Sequence, residues 1–394
     1  MTSSEEESMM SKADAGARFV DVHVVQSVPF ANLNRDDNNS VKTVAYGGTE
    51  RTRVSSQSWK RAARTYFQQA LGEAALRTRR IGERVARVLE EDRGWPAALA
   101  ARAGQHVAAG SSIKFEVDGE SSAVTTNAMV YVPGSAVAEL ADLAEEFRVE
   151  LEAAKAIRKS GDKSVLPKDR VDAVLRSRNG VINLFGRMLA EVDDAGVDGA
   201  VQVAHALTTH GTDIELDYFS AVDDVSDVWG DSTGSAHMGH AEFSAGVFYR
   251  FATIDLQELA RNLGGDVAAA RELAAGFAEA FVLSLPQAKK TATAPHTIPD
   301  LVHVAVRSDR PLSFAAAFEK PVRASQEGGY SGPSRLALAD YAAAANTLLG
   351  GRGIVWSAWA GVDAKSPEGL GRRAGSFPEL IDGAIAVAYP EAQA

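Results

Sequence analysis

The stretch "RFVDVHVVQSV" (residues 18–28) sets Val20, Val22 and Val24 on one face of an extended chain, with Phe19, Asp21, His23 and Val25 on the other. β-Branched residues run through it with no breaker, so it reads as a central strand. A helix is expected to pack on that sheet. After Ser55, in capping position, the residues Trp59, Ala62, Ala63, Tyr66, Phe67 and Ala70 recur at helical spacing and form an apolar stripe. With 394 residues, 45% of them hydrophobic, the chain can bury a sizeable core and suits two or three domains, or one domain with large insertions.

Residues 72–110 and 135–160 are rich in Ala, Arg, Glu and Leu and are expected to be helical. Between them "KFEVDGESSAVTTNAMVYV" reads as a hairpin with Asp118 and Gly119 at its turn. The block from 72 to about 180 is therefore a mainly helical insertion. Strand character returns at 180–189 ("GVINLFGRML"), 199–209 ("GAVQVAHALTT") and 242–254, followed by helices at 256–263 and 267–285 and a strand at 300–308. That order suits an α+β, ferredoxin-like sandwich. The acid-, Gly- and Ser-rich stretch 213–240 interrupts it and reads as a protruding, mobile excursion. No repeat of solenoid period stands out.

Cysteine is absent, which excludes disulfides, thiolate metal sites and nucleophilic cysteine chemistry and fits a reducing cytoplasm. The first residues, "MTSSEEESMMSKADAG", are polar and acidic, and read as a disordered tail rather than a signal or membrane span. A net charge of −11 argues against nucleic-acid binding over the whole surface. From Arg35 to Arg64, however, Arg35, Lys42, Arg51, Arg53, Lys60, Arg61 and Arg64 outnumber Asp36, Asp37 and Glu50, 7 − 3 = +4. Lys60, Arg61 and Arg64 fall within about 100° on the helix, away from its apolar stripe. Together with Ser55, Ser56, Gln57, Ser58 and the helix-start N–H groups, this ridge is suited to phosphate oxygens. Gly47 and Gly48 allow close backbone approach. Neither GxxxxGK[ST] nor a GxGxxG following a strand is present in this stretch, and the aromatic signature of an ordinary RNA-recognition motif is missing. An RNA surface of this kind reads the backbone more than the bases.

Three other groups bear on chemistry. His237 and His240 of "HMGH", near Asp231, are spaced so that they can share an ion, but without HExxH or cysteine they read as loop or interface histidines; no metal or cofactor is expected. His205 and His210 read as core or capping residues. Asp36 and Asp37 are positioned for Mg²⁺ or general-base work, against which stands a turn held by Asx hydrogen bonds and a salt bridge to Arg35; no second carboxylate cluster completes a two-metal site. Tyr218 and Phe219 sit between acids, where an apolar wedge between bases or a subunit interface would explain them.

The segments "LNRDDNNSVKTVAYGGTERTRVSSQSWKRAAR", "GRM", "VAHALTTH", "DIELDYFSAVDD", "GSAHMGHAEFSAGVFYRFA" and "FEKPVRA", in this order from about 18 to 325, closely resemble the CasC family. That family, of the RAMP superfamily, is the crRNA-binding backbone subunit of the type I-E CRISPR Cascade complex. The resemblance implies an RRM-like palm (18–71, 181–211 and 243–394 with the C-terminal region), helical fingers (72–180) and a thumb hairpin (212–242) after a tail (1–17). It implies several copies along one crRNA, the palm gripping phosphates and a neighbour's thumb turning out a base, with the remaining bases free to pair with target DNA. Arg35, Lys42, Ser55, Gln57, Ser58, Lys60 and Arg64, with Arg61 beside them, stand where the family places backbone contacts. Met188 of "GRM" and Phe219 match apolar residues against the displaced base and duplex, and Lys320 of "FEKPV" a basic residue of the same groove. Other Cascade subunits and a recruited nuclease-helicase are the implied partners, with no membrane. The chain itself is expected not to be an enzyme. The alternative is a metal-dependent ribonuclease of the same superfamily using Asp36 or Asp37.

Overall fold

The computed structural model describes residues 16–72, 74–118, 123–221, 237–363 and 368–390. The chain opens with β1 (Phe19–Ala31), the hairpin β2 (Thr43–Tyr46) and β3 (Thr49–Val54), and α1 (Ser56–Leu71). There follow β4 (Ala75–Thr78), α2 (Ile81–Arg87) running into a π-helical turn (Val88–Asp92), α3 (Ala97–Ala109), β5 (Phe115–Val117), β6 (Val124–Thr126) and β7 (Val130–Pro133). Next come α4 (Ala136–Glu146), α5 (Arg148–Ala153), α6 (Lys168–Arg176), α7 (Gly180–Phe185), β8 (Val201–Val203), β9 (Ala206–Thr208), β10 (Glu215–Ala221) and β11 (His237–Asp255). The chain continues through α8 (Leu256–Asn262), α9 (Val267–Leu283), α10 (Lys290–Thr293), β12 (Leu301–Arg307), a 3₁₀ turn (Ala315–Phe318), α11 (Ser331–Leu348), β13 (Ile354–Gly361), β14 (Arg372–Arg373) and α12 (Phe377–Ala388). The described residues form two compact units, one from those within 16–66, 201–257 and 267–390, the other from those within 67–200 and 258–266.

The first unit is built on a mixed α/β sheet of order β14-β13-β12-β1-β11-β9-β3-β2, with β8 and β10 also paired to β11. β1 is its central strand, antiparallel to β11 and β12 along its first half, and both of its faces are buried from Phe19 to Val25. On the face carrying Val25, the residues Tyr249, Leu301, Phe314, Phe318, Leu338 and Trp359 form one core. Asp21 and His23 share that side of the strand: the Asp21 Oδ2 accepts from Leu312 N at 2.8 Å, and the His23 ring stacks on Phe314 at 4.2 Å. A second core gathers Val28, Val54, Phe248, Leu285 and Trp59 of α1. Trp59 also packs under the buried guanidinium of Arg250, 4.3 Å away, which donates to the carbonyls of Phe281 and Val282. The helical stripe therefore packs as its spacing predicts through Trp59, Ala62, Ala63 and Phe67; Tyr66 is only half-buried and Ala70 is exposed.

The second unit has its own core. Val85, Leu89, Ala103, Val107, Leu140, Ala144, Val171 and Leu175 interlock from α2 and the π-helical turn after it, α3, α4 and α6, flanked by the antiparallel pairs β4–β7 and β5–β6.

Several sequence expectations are corrected here. The run at 180–189 is not a strand: Gly180–Phe185 is a helix, because Asn179 caps it by accepting from Ile182 N at 3.1 Å, and residues 181–200 group with the second unit rather than the sheet. A short apolar run of this kind does not distinguish helix from strand. The 199–209 strand is broken into β8 and β9 by Ala204 and His205. Helix stops at Ala153 rather than near 160, where Asp162 Oδ2 takes the amides of Arg158 and Lys159 into a turn. The 72–110 block contains β4 as well as helices. The excursion at 213–240 is in part an ordered ribbon, β10 paired with the start of β11. The tail through residue 15, the Asp118–Gly119 turn beyond Asp118, and Asp231 with the rest of 222–236 lie outside the described residues.

Candidate nucleic-acid interface

The loop after β1 is stitched to the start of α1 by Asn34. Its Oδ1 accepts from Ser55 N at 2.8 Å and its carbonyl from Lys42 N at 3.2 Å, while the Lys42 carbonyl takes Arg53 N at 2.8 Å. These bonds bring Arg35 and Lys42 to the head of the helix that carries Lys60, Arg61 and Arg64. Arg61 is exposed; Lys60 and Arg64 are half-buried. Burial holds the Lys60 ammonium below the ordinary lysine pKa, so this cation is partly stripped of water, and an arriving anion would restore its charge stabilisation.

The helix start is less open than its sequence suggests. Ser55 Oγ accepts from Ser58 N at 3.3 Å, and His205 Nδ1 accepts from Ser56 N at 2.9 Å. The amides of Ser55, Ser56 and Ser58 are thus satisfied within the protein, and the expectation that they donate to phosphate is corrected: only side chains and the Gln57 amide remain for a ligand there. Gln57 is exposed, Ser58 half-buried, and the Ser55 hydroxyl buried as the cap. His205 is a capping residue, as its position suggested. Its ring is held below the usual histidine pKa first by desolvation and then by Arg53, which keeps Nδ1 free to accept.

Arg51, counted among the seven cations of the segment, does not belong to the surface. It is 0% exposed, and its guanidinium donates to Thr208 O at 2.8 Å, Phe318 O at 3.1 Å and Glu319 O at 3.4 Å. Its work is to strap the 3₁₀ turn and "FEKPV" to the β2–β3 hairpin. Gly47 completes the strap: at φ +60°, a Cβ there would lie 1.7 Å from the Glu319 carbonyl oxygen. Lys320, exposed, is thereby fixed beside the hairpin.

Asp36 is engaged as a turn former, its Oδ1 accepting from Asn38 N at 2.8 Å and Ser40 N at 2.9 Å. Arg35 pairs with Asn39 Oδ1 at 2.9 Å, not with either aspartate as the sequence suggested. Among the described residues no group of three or more His, Asp or Glu is disposed to hold a metal ion. His210 is buried and stacks on Tyr330 at 3.7 Å, a core residue. Phe219, 51% exposed on β10, lies across Gly239 of β11, its cross-strand partner, and Tyr218 pairs with His240 on the other face. Met188, in the second unit, is 92% exposed.

The chain matches the profile of the CT1975-like protein family over residues 20–383. It belongs to the CT1975-like Cas family. This agrees with the resemblance the motifs carry, and the match takes in nearly all of this chain. Two solved structures are similar to it: a chain described as "CRISPR RNA-guided surveillance complex, pre-nicking", 45% identical with a TM-score of 0.86, and one described as "CRISPR RNA-guided surveillance complex", 40% identical with a TM-score of 0.77. Each alignment covers 94% of this chain and 100% of the other. No curated protein matches. Among the described residues no helix is long and apolar enough to cross a membrane.

Proposed function

We propose that this CT1975-like chain is the crRNA-binding backbone subunit of a cytoplasmic type I-E Cascade complex. Several copies line one guide, grip its phosphates and present its bases to target DNA, alongside other Cascade subunits and a recruited nuclease-helicase. The strand order β12-β1-β11-β9, with α1 and α9 as the two crossing helices, supports an RRM-like (ferredoxin-like) palm, the second unit serving as fingers and the β10–β11 ribbon as the thumb. The observation that carries the reading is the α1 ridge. Lys60, Arg61 and Arg64 face away from the packed residues Trp59, Ala62, Ala63 and Phe67, at the head of a helix stitched to Arg35 and Lys42, in a chain whose net charge is −11. Such a local basic surface in an acidic protein fits a polyanion held at one place. Asp36, committed to its turn, leaves the scaffold reading ahead of a ribonuclease, and the chain cuts nothing itself.

Filter binding of a guide-length RNA across a salt series tests this. Charge reversal of Lys60 and Arg64 together is expected to weaken binding irrespective of guide sequence and to reduce the salt slope by about two units, one per lost phosphate contact. An unchanged slope would remove the ridge from the interface.

A further inference from the structure

In the second unit, a buried arginine stands next to the most exposed methionine of the described chain. Arg187 has 4% of its surface exposed, yet its guanidinium is not paired with an acid: it donates to the carbonyls of Ala195 (2.7 Å), Ser177 (2.8 Å), Arg176 (2.9 Å) and Tyr131 (3.2 Å). Its backbone exchanges both hydrogen bonds with Val197 at 2.8 Å. Gly186, at φ +78°, backs onto this closure so tightly that a Cβ would fall 2.8 Å from Gly199 N and 2.9 Å from Val197 O. The loop from Gly186 to Gly199 is thus tied at its neck by one side chain reaching four carbonyls on three segments. Burial depresses the guanidinium pKa to about 10, the electrostatic strain that the four carbonyls offset. An arginine in an RNA-binding chain would ordinarily be read as a phosphate ligand. This one has its donors turned inward.

The result of the tie is the display of Met188. Its side chain projects at 92% exposure over an open cleft lined also by Arg77, Met129, Tyr131, Leu189 and Glu191, with Met129 itself half exposed. A flexible, polarisable thioether in water gains nothing for folding, and a long unbranched side chain loses rotamer freedom on every contact it makes. A fixed backbone beneath it reduces what remains to be ordered on binding.

We propose that Arg187 is a positioning residue for guide binding: it holds the neck of the Gly186–Gly199 loop so that Met188 is presented, already placed, to an unpaired base, and it makes no contact with RNA itself. This rests on the reading of the chain as a guide-binding subunit. The roles within "GRM" then divide: glycine permits the turn, arginine locks it, methionine makes the contact. Lysine does not substitute, because a single ammonium on a flexible stem cannot reach four carbonyls in a planar fork.

The test is a double-mutant cycle in the full-length chain, read by filter binding of guide-length RNA across a salt series. Met188→Ala is expected to weaken binding up to about tenfold, the upper end of what one thioether contact to an aromatic ring contributes, with the salt slope unchanged. Arg187→Lys is expected to weaken it to a similar extent, also at unchanged slope, and the double variant to bind no worse than either single one. Gly186→Ala, which loosens the same neck from the other side, is to give the same pattern and carries the cycle if Arg187→Lys does not fold by circular dichroism. A slope lowered by about one unit in Arg187→Lys would make Arg187 a phosphate ligand and overturn the proposal; so would losses that multiply in the double variant. The Lys60/Arg64 variant run in parallel separates the two claims. If its slope falls while Met188→Ala binds like wild type, the guide reading stands and this proposal fails; if neither changes, both fail.

Discussion

Arg51 and Arg61 lie ten residues apart in one cation-rich segment, and the structure puts them in opposite surroundings, Arg51 buried and Arg61 exposed. Arg51→Met keeps the aliphatic stem and its volume but removes the guanidinium, so the loss is that of its hydrogen bonds rather than of a cavity. Two of those bonds, to Thr208 O and Phe318 O, are short, and the third, to Glu319 O, is marginal. Bonds from a charged donor contribute about 1.5–3 kcal/mol each, and the abandoned carbonyls remain buried, so a cost of about 3–5 kcal/mol is expected, a large part of a domain's stability. Arg61→Met, at an exposed site, should stay within about 0.5 kcal/mol. Chemical denaturation followed by tryptophan fluorescence reports this, since Trp59 and Trp359 are buried in the same unit. RNA binding by the folded protein should show the reverse order: Arg61→Met lowers the salt slope by about one unit and Arg51→Met leaves it unchanged. If Arg51→Met denatures like wild type and lowers the slope, the strap is wrong and Arg51 is a phosphate ligand.

Two further outcomes follow from the same structure. Burial pushes the Asp21 carboxyl up to about 7 from an ordinary 3.8, so the folded state holds its proton longer than the unfolded chain, and wild-type stability is lost as pH rises through that window; Asp21→Asn should match wild type below pH 4 and exceed it by up to about 4 kcal/mol above pH 7, whereas a constant difference across urea melts at pH 4 to 8 would refute the assignment. Phe219→Ala, which removes a half-exposed ring lying across Gly239, should leave the melting temperature within a few degrees while weakening assembly on guide RNA; a monomer that unfolds, with normal assembly by the surviving protein, would make Phe219 a core residue.

What could be read in advance follows from locality. β1 announces itself because valines in both registers admit no other use, and α1 because Trp59, Ala62, Ala63 and Phe67 repeat at 3.6 residues; both are where the sequence places them. α7 was invisible because "GVINLF" is too short for periodicity to decide and the deciding residue, Asn179, lies outside the run. The buried arginines are a deeper failure. Arg51 finds its carbonyls 157 and 267 residues away, so nothing near it in the chain separates it from Arg53 or Arg61. The same holds for Arg187, whose partners at Tyr131 and Arg176 belong to other elements. Ser55 was legible as a cap, but not the closing of the helix head by Asn34 and His205, because that depends on β9 arriving beside it. A count of cations therefore overstated the surface charge, and the ridge of Lys60, Arg61 and Arg64 emerged only once helix phase separated it from the rest.

The central claim is that many copies of this chain share one guide through that ridge. Native mass spectrometry of the protein mixed with a single guide-length RNA reads it directly. The account predicts masses equal to one RNA plus several copies of the chain, with the occupancy falling when Lys60 and Arg64 are reversed in charge. A ladder that stops at one copy per RNA, or one that the charge reversal leaves untouched, would contradict it.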